Sequence, residues 1–307
     1  MKIYINSAKE NWVVDRFIEE WNTYNQKKSK NYIFGKKIIW LIAPWTWKKI
    51  PTKYLSKNKV LCTIHHIDEN KFEEEARKEF IERDEYVDHY HVISNKTFDQ
   101  VKELTDKPIT TIPFWINQNL WFEIPNKDEL RQKFQIDKSS FLIGSFQRDT
   151  EGSDLVSPKL SKGPDQFVEI VEHFKNEKEN LVVILTGKRR NYIINNLKEK
   201  KIDYKYYEMT SFQELNELYN ILDLYVVSSR YEGGPQSIVE SAIIKTPIIS
   251  TDVGIASEVL AKKSIFNMKN FKKAVPDIET AFNNSLKYKI PNGFEKFNKL
   301  FESLSES

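Results

Sequence analysis

Short apolar runs recur along this chain, each followed by residues with helical spacing, and that alternation limits the fold more than any other feature. Residues 2–6, 38–42, 60–64, 89–93 and 108–113 read as strands. Between them Trp12, Val13, Phe17 and Trp21 share one face of a helix, a charged helix covers about 71–85, and another starts near Lys96 with Ser94 or Asn95 as its cap. A second series begins near Asp128, with helices over 128–134, 164–174, 192–200, 212–221 and 277–286 and strands over 141–146, 181–186, 204–207 and 224–227. Strands joined through helices predict a mainly parallel sheet covered on both faces, an α/β fold. At 307 residues the chain is long for one core, and about 150 residues per domain predicts two. The break falls at 115–127, where Trp115, Asn117, Asn119, Trp121 and Pro125 interrupt the pattern. We therefore expect domains at 1–120 and 121–290. Residues 291–307 form an amphipathic helix (Phe294, Phe297, Leu300, Phe301, Leu304) that packs on one domain or returns to the first.

Composition narrows the function classes. A net charge of +3 is too small to imply nucleic acid. The single cysteine, Cys62, excludes an intramolecular disulfide and a cysteine-cluster metal site, and reads as a small core residue. The start carries no signal-peptide pattern, and no apolar run approaches the roughly 20 residues that span a bilayer. The expected location is cytoplasmic, at most peripheral at a membrane surface. Ten lysines between Lys27 and Lys59 surround Trp40, Trp45 and Trp47. That composition suits contact with a membrane interface or an anionic acceptor; the alternative is a solvated lysine surface over core tryptophans.

The chemistry concentrates between Val226 and Leu260. A strand ends in Ser228 and Ser229, then Glu232, Gly233, Gly234 and Pro235 lead into a helix carrying Gln236, Ser237 and Glu240, and a second strand ends in Ser250, Thr251 and Asp252. Paired glycines let backbone N–H groups approach a ligand, and proline suits the first helical turn. A helix start of this kind attracts an anion such as a diphosphate. Glu232 can project beside that anion, and Glu240, further down the helix, can grip a vicinal diol through charge-assisted hydrogen bonds. The alternative is a charged helix start with one solvated glutamate. Seven of the nine glycines lie between Gly144 and Gly254, several just after expected strands, where open α/β sheets place ligand loops. No zinc-binding spacing, nucleophile elbow, complete phosphate loop or Asp-x-Asp motif occurs.

The segment SSRYEGGPQSIVESAIIKTPIISTDVGIASEVL resembles the Glu-x7-Glu signature of retaining glycosyltransferases of family 4, with Gly254 and Glu258 at its later Gly and Glu. Residues 206–227 resemble the stretch preceding that signature, 143–163 the first strand and donor-phosphate loop, and TTIPFWINQNLW the hinge-proximal segment. The resemblance covers most of 90–265. It implies the GT-B fold, two Rossmann-like domains facing across a cleft, and transfer of a sugar from a nucleoside diphosphate sugar, UDP- or GDP-linked, to an acceptor hydroxyl on a glycan, glycolipid or other glycoconjugate. Retention of anomeric configuration is part of that implication, as is the absence of a required metal or cofactor.

Carried over by position, the resemblance gives Arg148 and Lys162 the donor diphosphate and Glu232 the transferred sugar. Gly144, Gly233, Gly234, Pro235, Gln236 and Ser237 line the donor site, and Glu240 holds the ribose. CTIHHIDE matches the family's cleft-facing histidine best at His65, with His66 as the alternative. Three departures stand out: NSAKEN lacks the glycines common after the first strand, Gly152 to Leu160 is inserted between Arg148 and Lys162, and Ile244-Lys245-Thr246-Pro247 replaces a Gly before Pro. Rival readings are an epimerase or phosphorylase on the same fold, or a non-catalytic nucleotide-sugar or glycan-binding protein.

Overall fold

A computed structural model describes residues 2–10, 13–30, 32–69 and 71–306, so Trp12 lies outside the described residues. The chain forms two compact units, Met1–Trp115 with Tyr288–Ser307, and Ile116–Lys287.

In the first unit, β1 (Ile3–Ile5), β2 (Ser29–Lys30), β3 (Ile38–Leu41), β4 (Lys59–Ile64), β5 (His89–Val92) and β6 (Ile109–Thr111) form one sheet. Its order is β2-β1-β3-β4-β5-β6, and every pairing is parallel. The Val13–Tyr24 helix buries Val14, Phe17 and Trp21, so the apolar face runs through Val14 rather than Val13. Ser94 caps the Asn95–Val101 helix, accepting from the Thr97 N–H. The Glu295–Glu306 helix belongs to this unit and buries Phe297, Leu300, Phe301 and Leu304. Phe301 meets Trp21 at 5.3 Å and Trp40 at 5.2 Å between ring centroids, and Phe294 lies 4.5 Å from Trp115. Aromatic edges packed this closely add to the area they bury.

This core corrects the tryptophan–lysine surface patch. Trp40 is fully buried and Trp47 is 5% exposed, while Trp45 alone of the three is open at 42%, its N–H donating to Glu10 Oε1 at 3.1 Å. Indole is too large and apolar to leave in water where a β-sheet face can cover it. A polar chain also crosses the core: Trp40 Nε1–H donates to Thr63 Oγ1 at 2.8 Å. The Thr63 hydroxyl lies 2.9 Å from His91 Nδ1, and His91 Nε2 2.7 Å from the Ile112 carbonyl. Because that carbonyl can only accept, Nε2 carries the proton and Thr63 donates to Nδ1. Burial pulls His91 down to about 3, so the ring is neutral at neutral pH.

The second unit holds β7 (Phe141–Ser145), β8 (Leu181–Thr186), β9 (Asp203–Tyr207), β10 (Leu224–Val227), β11 (Ile248–Thr251) and β12 (Ile265–Phe266). Its sheet, β12-β11-β10-β7-β8-β9, is likewise all parallel. The strand order reverses between β7 and β10, and in open α/β sheets the crevice beyond the carboxyl ends of such a pair is where ligands bind. The boundary between the two units falls inside the segment expected to be the linker, and the rest of that segment packs within the second unit. Phe122 N–H donates to Asn216 at 3.1 Å and Ile124 N–H to Asn220 at 2.7 Å. Trp121 is buried and stands 5.9 Å from Tyr219.

Candidate active site

The loops after β7 and β10 meet at the reversal point, and a glycine lets them. Gly163 has φ +60°, a left-handed conformation, and a Cβ there would fall on the Ser228 carbonyl oxygen. Only glycine meets both demands without strain. The two loops are then stitched together: Ser228 Oγ donates to the Gly163 carbonyl at 2.8 Å, Gln166 Nε2 to the Ser228 carbonyl at 2.6 Å, and Arg230 N–H to the Ser161 carbonyl at 2.8 Å. Arg230 adds a bidentate pair to Asp165, at 2.7 and 2.6 Å. Held this way, Lys162 Nζ forms an ion pair with Glu232 Oε1, the two side chains 18% and 10% exposed. Ser229 Oγ donates to the same Glu232 oxygen at 3.1 Å, and Gln147 Nε2 to the Lys162 carbonyl at 3.0 Å. Gln147 escaped the sequence reading because its partner, the Lys162 carbonyl, lies on another loop and its residue type marks no motif.

The insertion does not separate Arg148 from Lys162. Thr150 and Pro158 form an antiparallel bridge, with Lys159 N–H donating to the Asp149 carbonyl at 2.8 Å, so the intervening residues leave and return at one place. The base of this excursion is fixed by Arg190, fully buried, which donates to Asp149 Oδ2 at 3.0 Å and to the Ser145 and Thr186 carbonyls at 2.6 and 2.8 Å. Arg148 itself is exposed and donates through Nε to the Thr150 carbonyl at 2.7 Å. Partial burial and the nearby Arg189 charge lower its pKa, yet a guanidinium stays charged at neutral pH.

The glycine turn runs into the Gln236–Ile244 helix, with Pro235 as its N-cap at φ −60°, ψ 115°. Pro235 thus precedes the helix instead of occupying its first turn, because its ψ remains extended. Gly254, at φ +50°, approaches so closely that a Cβ would lie 2.5 Å from the Gly233 carbonyl oxygen. Both amide atoms of Gln236 are buried with no hydrogen-bond partner among the described residues. A buried unpaired amide is costly and calls for a partner that a ligand or water can supply. Glu240 is 6% exposed and accepts from the Tyr219 hydroxyl at 3.1 Å.

Two expected site residues have other demands on them. Gly144 is buried in β7, and a Cβ there would collide with Leu222, so packing alone requires glycine. His65, in the first unit just past β4, has its Nε2 2.8 Å from the Ile42 carbonyl and its ring stacked on Phe114 at 5.9 Å. Burial pulls it down to about 4, so it stands as a neutral imidazole rather than a cation. His66 beside it is exposed. Among the described residues no three or more His, Cys, Asp or Glu side chains converge as a metal site.

Residues 127–295, more than half of the 307, match the family model for glycosyl transferases group 1. The chain belongs to that family. It is 26% identical over 179 residues to the O-antigen biosynthesis glycosyltransferase WclY of Escherichia coli, covering 57% of this chain and 46% of that protein. The chain thus spans about half the length of the curated relatives it matches. Among solved structures it resembles Anabaena Alr3699/HepE, determined in complex with UDP and glucose, with a TM-score of 0.76, 11% identity, and 99% and 100% of the two chains covered. It also resembles sucrose-phosphate synthase of Thermosynechococcus elongatus, with a TM-score of 0.63 and 16% identity over 95% of this chain and 75% of that one. The fold of this group 1 glycosyltransferase is α/β GT-B, with one parallel six-stranded sheet in each unit. The family match spans the loops after β7 and β10, and so includes the Lys162–Glu232 pair.

Proposed function

We propose that this chain is a retaining glycosyltransferase of family 4, its Glu-x7-Glu signature being Glu232 and Glu240, which moves a sugar from a UDP- or GDP-sugar to an acceptor hydroxyl. The observation that carries this is the Lys162–Glu232 ion pair at the strand-order reversal, beside a glycine turn that opens a helix. Breaking the bond between the anomeric carbon and the diphosphate oxygen leaves negative charge on the departing nucleotide. In this reading Lys162, Arg148 and the backbone N–H groups at the start of the Gln236–Ile244 helix stabilise that charge. Lys162 has three donors, so it can keep Glu232 oriented while it meets a phosphate oxygen. Glu232, fixed by Lys162 and Ser229, would hold hydroxyls of the transferred sugar, and Glu240 the ribose. Attack by the acceptor hydroxyl on the face the diphosphate leaves preserves configuration, with a departing phosphate oxygen taking the acceptor's proton. No side chain need form a covalent intermediate.

HepE, whose structure this fold resembles, was determined with UDP and glucose, and WclY is named for O-antigen biosynthesis. The first supports a nucleotide-sugar donor for this chain and the second a glycan or lipid-linked acceptor, and a cytoplasmic location is part of the same proposal. Lys162→Ala and Glu232→Gln should each slow nucleotide release from the donor at least about a hundredfold while the protein stays folded. Wild-type turnover in both would remove this site assignment.

The acceptor side of the reading includes peripheral contact with an anionic membrane, carried by Tyr32 and Phe34 rather than by the tryptophans. These rings are 59% and 78% exposed, in a stretch from Lys27 to Lys37 with five lysines and no acidic residue. Lys36 Nζ lies 3.8 Å over the Tyr32 ring. Aromatic tips flanked by lysines suit a headgroup layer. Phe34→Ser should reduce co-sedimentation with phosphatidylcholine/phosphatidylglycerol vesicles severalfold; wild-type protein that stays in the supernatant would end this part of the reading.

A further inference from the structure

Beneath the glycine turn lie two tyrosines whose hydroxyls are engaged in the interior. Tyr219 and Tyr225 are each 1% exposed, with ring centroids 5.1 Å apart, and Phe146 packs edge-on to both at 4.7 and 5.3 Å. The Tyr219 hydroxyl donates to Glu240 Oε2 at 3.1 Å. The Tyr225 hydroxyl accepts the Phe146 N–H at 3.2 Å. A carboxylate only 6% exposed cannot rely on water and needs donors aimed at it. Burial raises the pKa of both phenols, so each remains a protonated donor at neutral pH.

We propose that Tyr219 is a positioning residue for Glu240, fixing the carboxylate that recognises the donor's ribose, and that Tyr225 ties this grip to the phosphate-side loop through the Phe146 N–H. The proposal rests on the reading of Glu240 as the ribose ligand. One phenolic donor occupies one of the roughly four acceptor directions of the carboxylate and selects its rotamer, so other directions are presented in a fixed orientation. Phe146 directly precedes Gln147 and Arg148. The ribose and diphosphate grips therefore share a scaffold of three packed rings, drawn from β7's loop, β10 and the Phe212–Ile221 helix.

The test compares calorimetric affinities for UDP and 2′,3′-dideoxy-UDP, or the guanosine pair if the wild type prefers that base. Wild-type protein should favour the diol-bearing nucleotide, and Glu240→Ala should abolish the preference. Tyr219→Phe should cut the preference about tenfold while leaving affinity for the dideoxy nucleotide unchanged, since a hydrogen bond to a charged group is worth at least that factor. General loosening of the fold would instead weaken both nucleotides together, and that result would overturn the proposal. So would full ribose preference in Tyr219→Phe alongside its loss in Glu240→Ala, which leaves the reading of Glu240 intact. Preference retained in Glu240→Ala, or no binding of either nucleotide by the wild type, would remove that reading and the proposal with it. Tyr225→Phe, which keeps the Tyr219 donor, should weaken both nucleotides and keep the preference; loss of preference there with Tyr219→Phe unfolded would count against Tyr219.

Discussion

A lysine and a glutamate buried together must find each other or be costly, and Lys162 and Glu232 do so because Gly163 permits a close approach that no side chain could share. In the proposed reaction Lys162 meets phosphate and Glu232 meets sugar hydroxyls. Histidine in the first unit is held neutral. His65 falls to about 4 and His91 to about 3, both chiefly through burial, against an ordinary value of 6.5. Their folded pKa values are depressed, so the folded state binds fewer protons than the unfolded chain below pH 6.5. The stability that comes from keeping them neutral is complete above about pH 6.5 and is lost as pH falls towards 4 and then 3, at about 1.4 kcal/mol per pH unit for each ring. Chemical denaturation between pH 7 and 4.5 should show this decline, and His91→Gln, which retains a donor and an acceptor, should flatten it. A pH-independent midpoint across that range would contradict the neutral assignment. Lys162, Glu232 and Glu240 were legible in the sequence because their spacing forms a pattern. Gln147, Tyr219 and Tyr225 were not, since the contacts that engage them join loops, strands and helices that only the folded sheet brings together.

The elements followed the hydrophobic periodicity closely where they were long or fully apolar. β8 and β10 and the Phe212–Ile221 helix begin and end where the spacing puts them. β2 and β12, two residues each, carry too few side chains for any alternation to show. The Pro44–Lys49 3₁₀ helix drew Trp47 into the core and left Trp45 outside, which composition could not separate. Lys245 occupies a left-handed C-cap at φ 64°, the position where a glycine was missed in the motif, and its ammonium pairs with Glu123 at 3.0 Å. The amphipathic stripe of the final helix told of burial but not against what. Its rings complete the aromatic core of the first unit, where Phe297 lies 5.4 Å from Trp40, 5.3 Å from Trp115 and 4.9 Å from His91. Phe297→Ala should therefore cost about 3–5 kcal/mol, read as a lower denaturation midpoint. A loss below about 1 kcal/mol would show that this helix is not part of the core.

For the whole molecule, two parallel sheets built from one chain give the second unit a strand-order reversal at which donor chemistry can assemble, and the family match covers that unit. The fold and the glycosyltransferase class could be read from strand–helix alternation and one long motif, because each extends over many residues. The first unit was less legible, because the resemblance there is thin and the loop after β1 has no glycine pattern to read. The central claim, that the Lys162–Glu232 pair drives departure of a nucleoside diphosphate from a sugar, meets its most direct test in one assay. UDP- and GDP-sugars are supplied with wild-type protein and with Lys162→Ala, and free nucleoside diphosphate is measured alongside the unfolding midpoint. The account predicts release by the wild type from at least one donor, and at least about a hundredfold less from a Lys162→Ala protein that unfolds at nearly the same temperature. Equal release by the two proteins would contradict it.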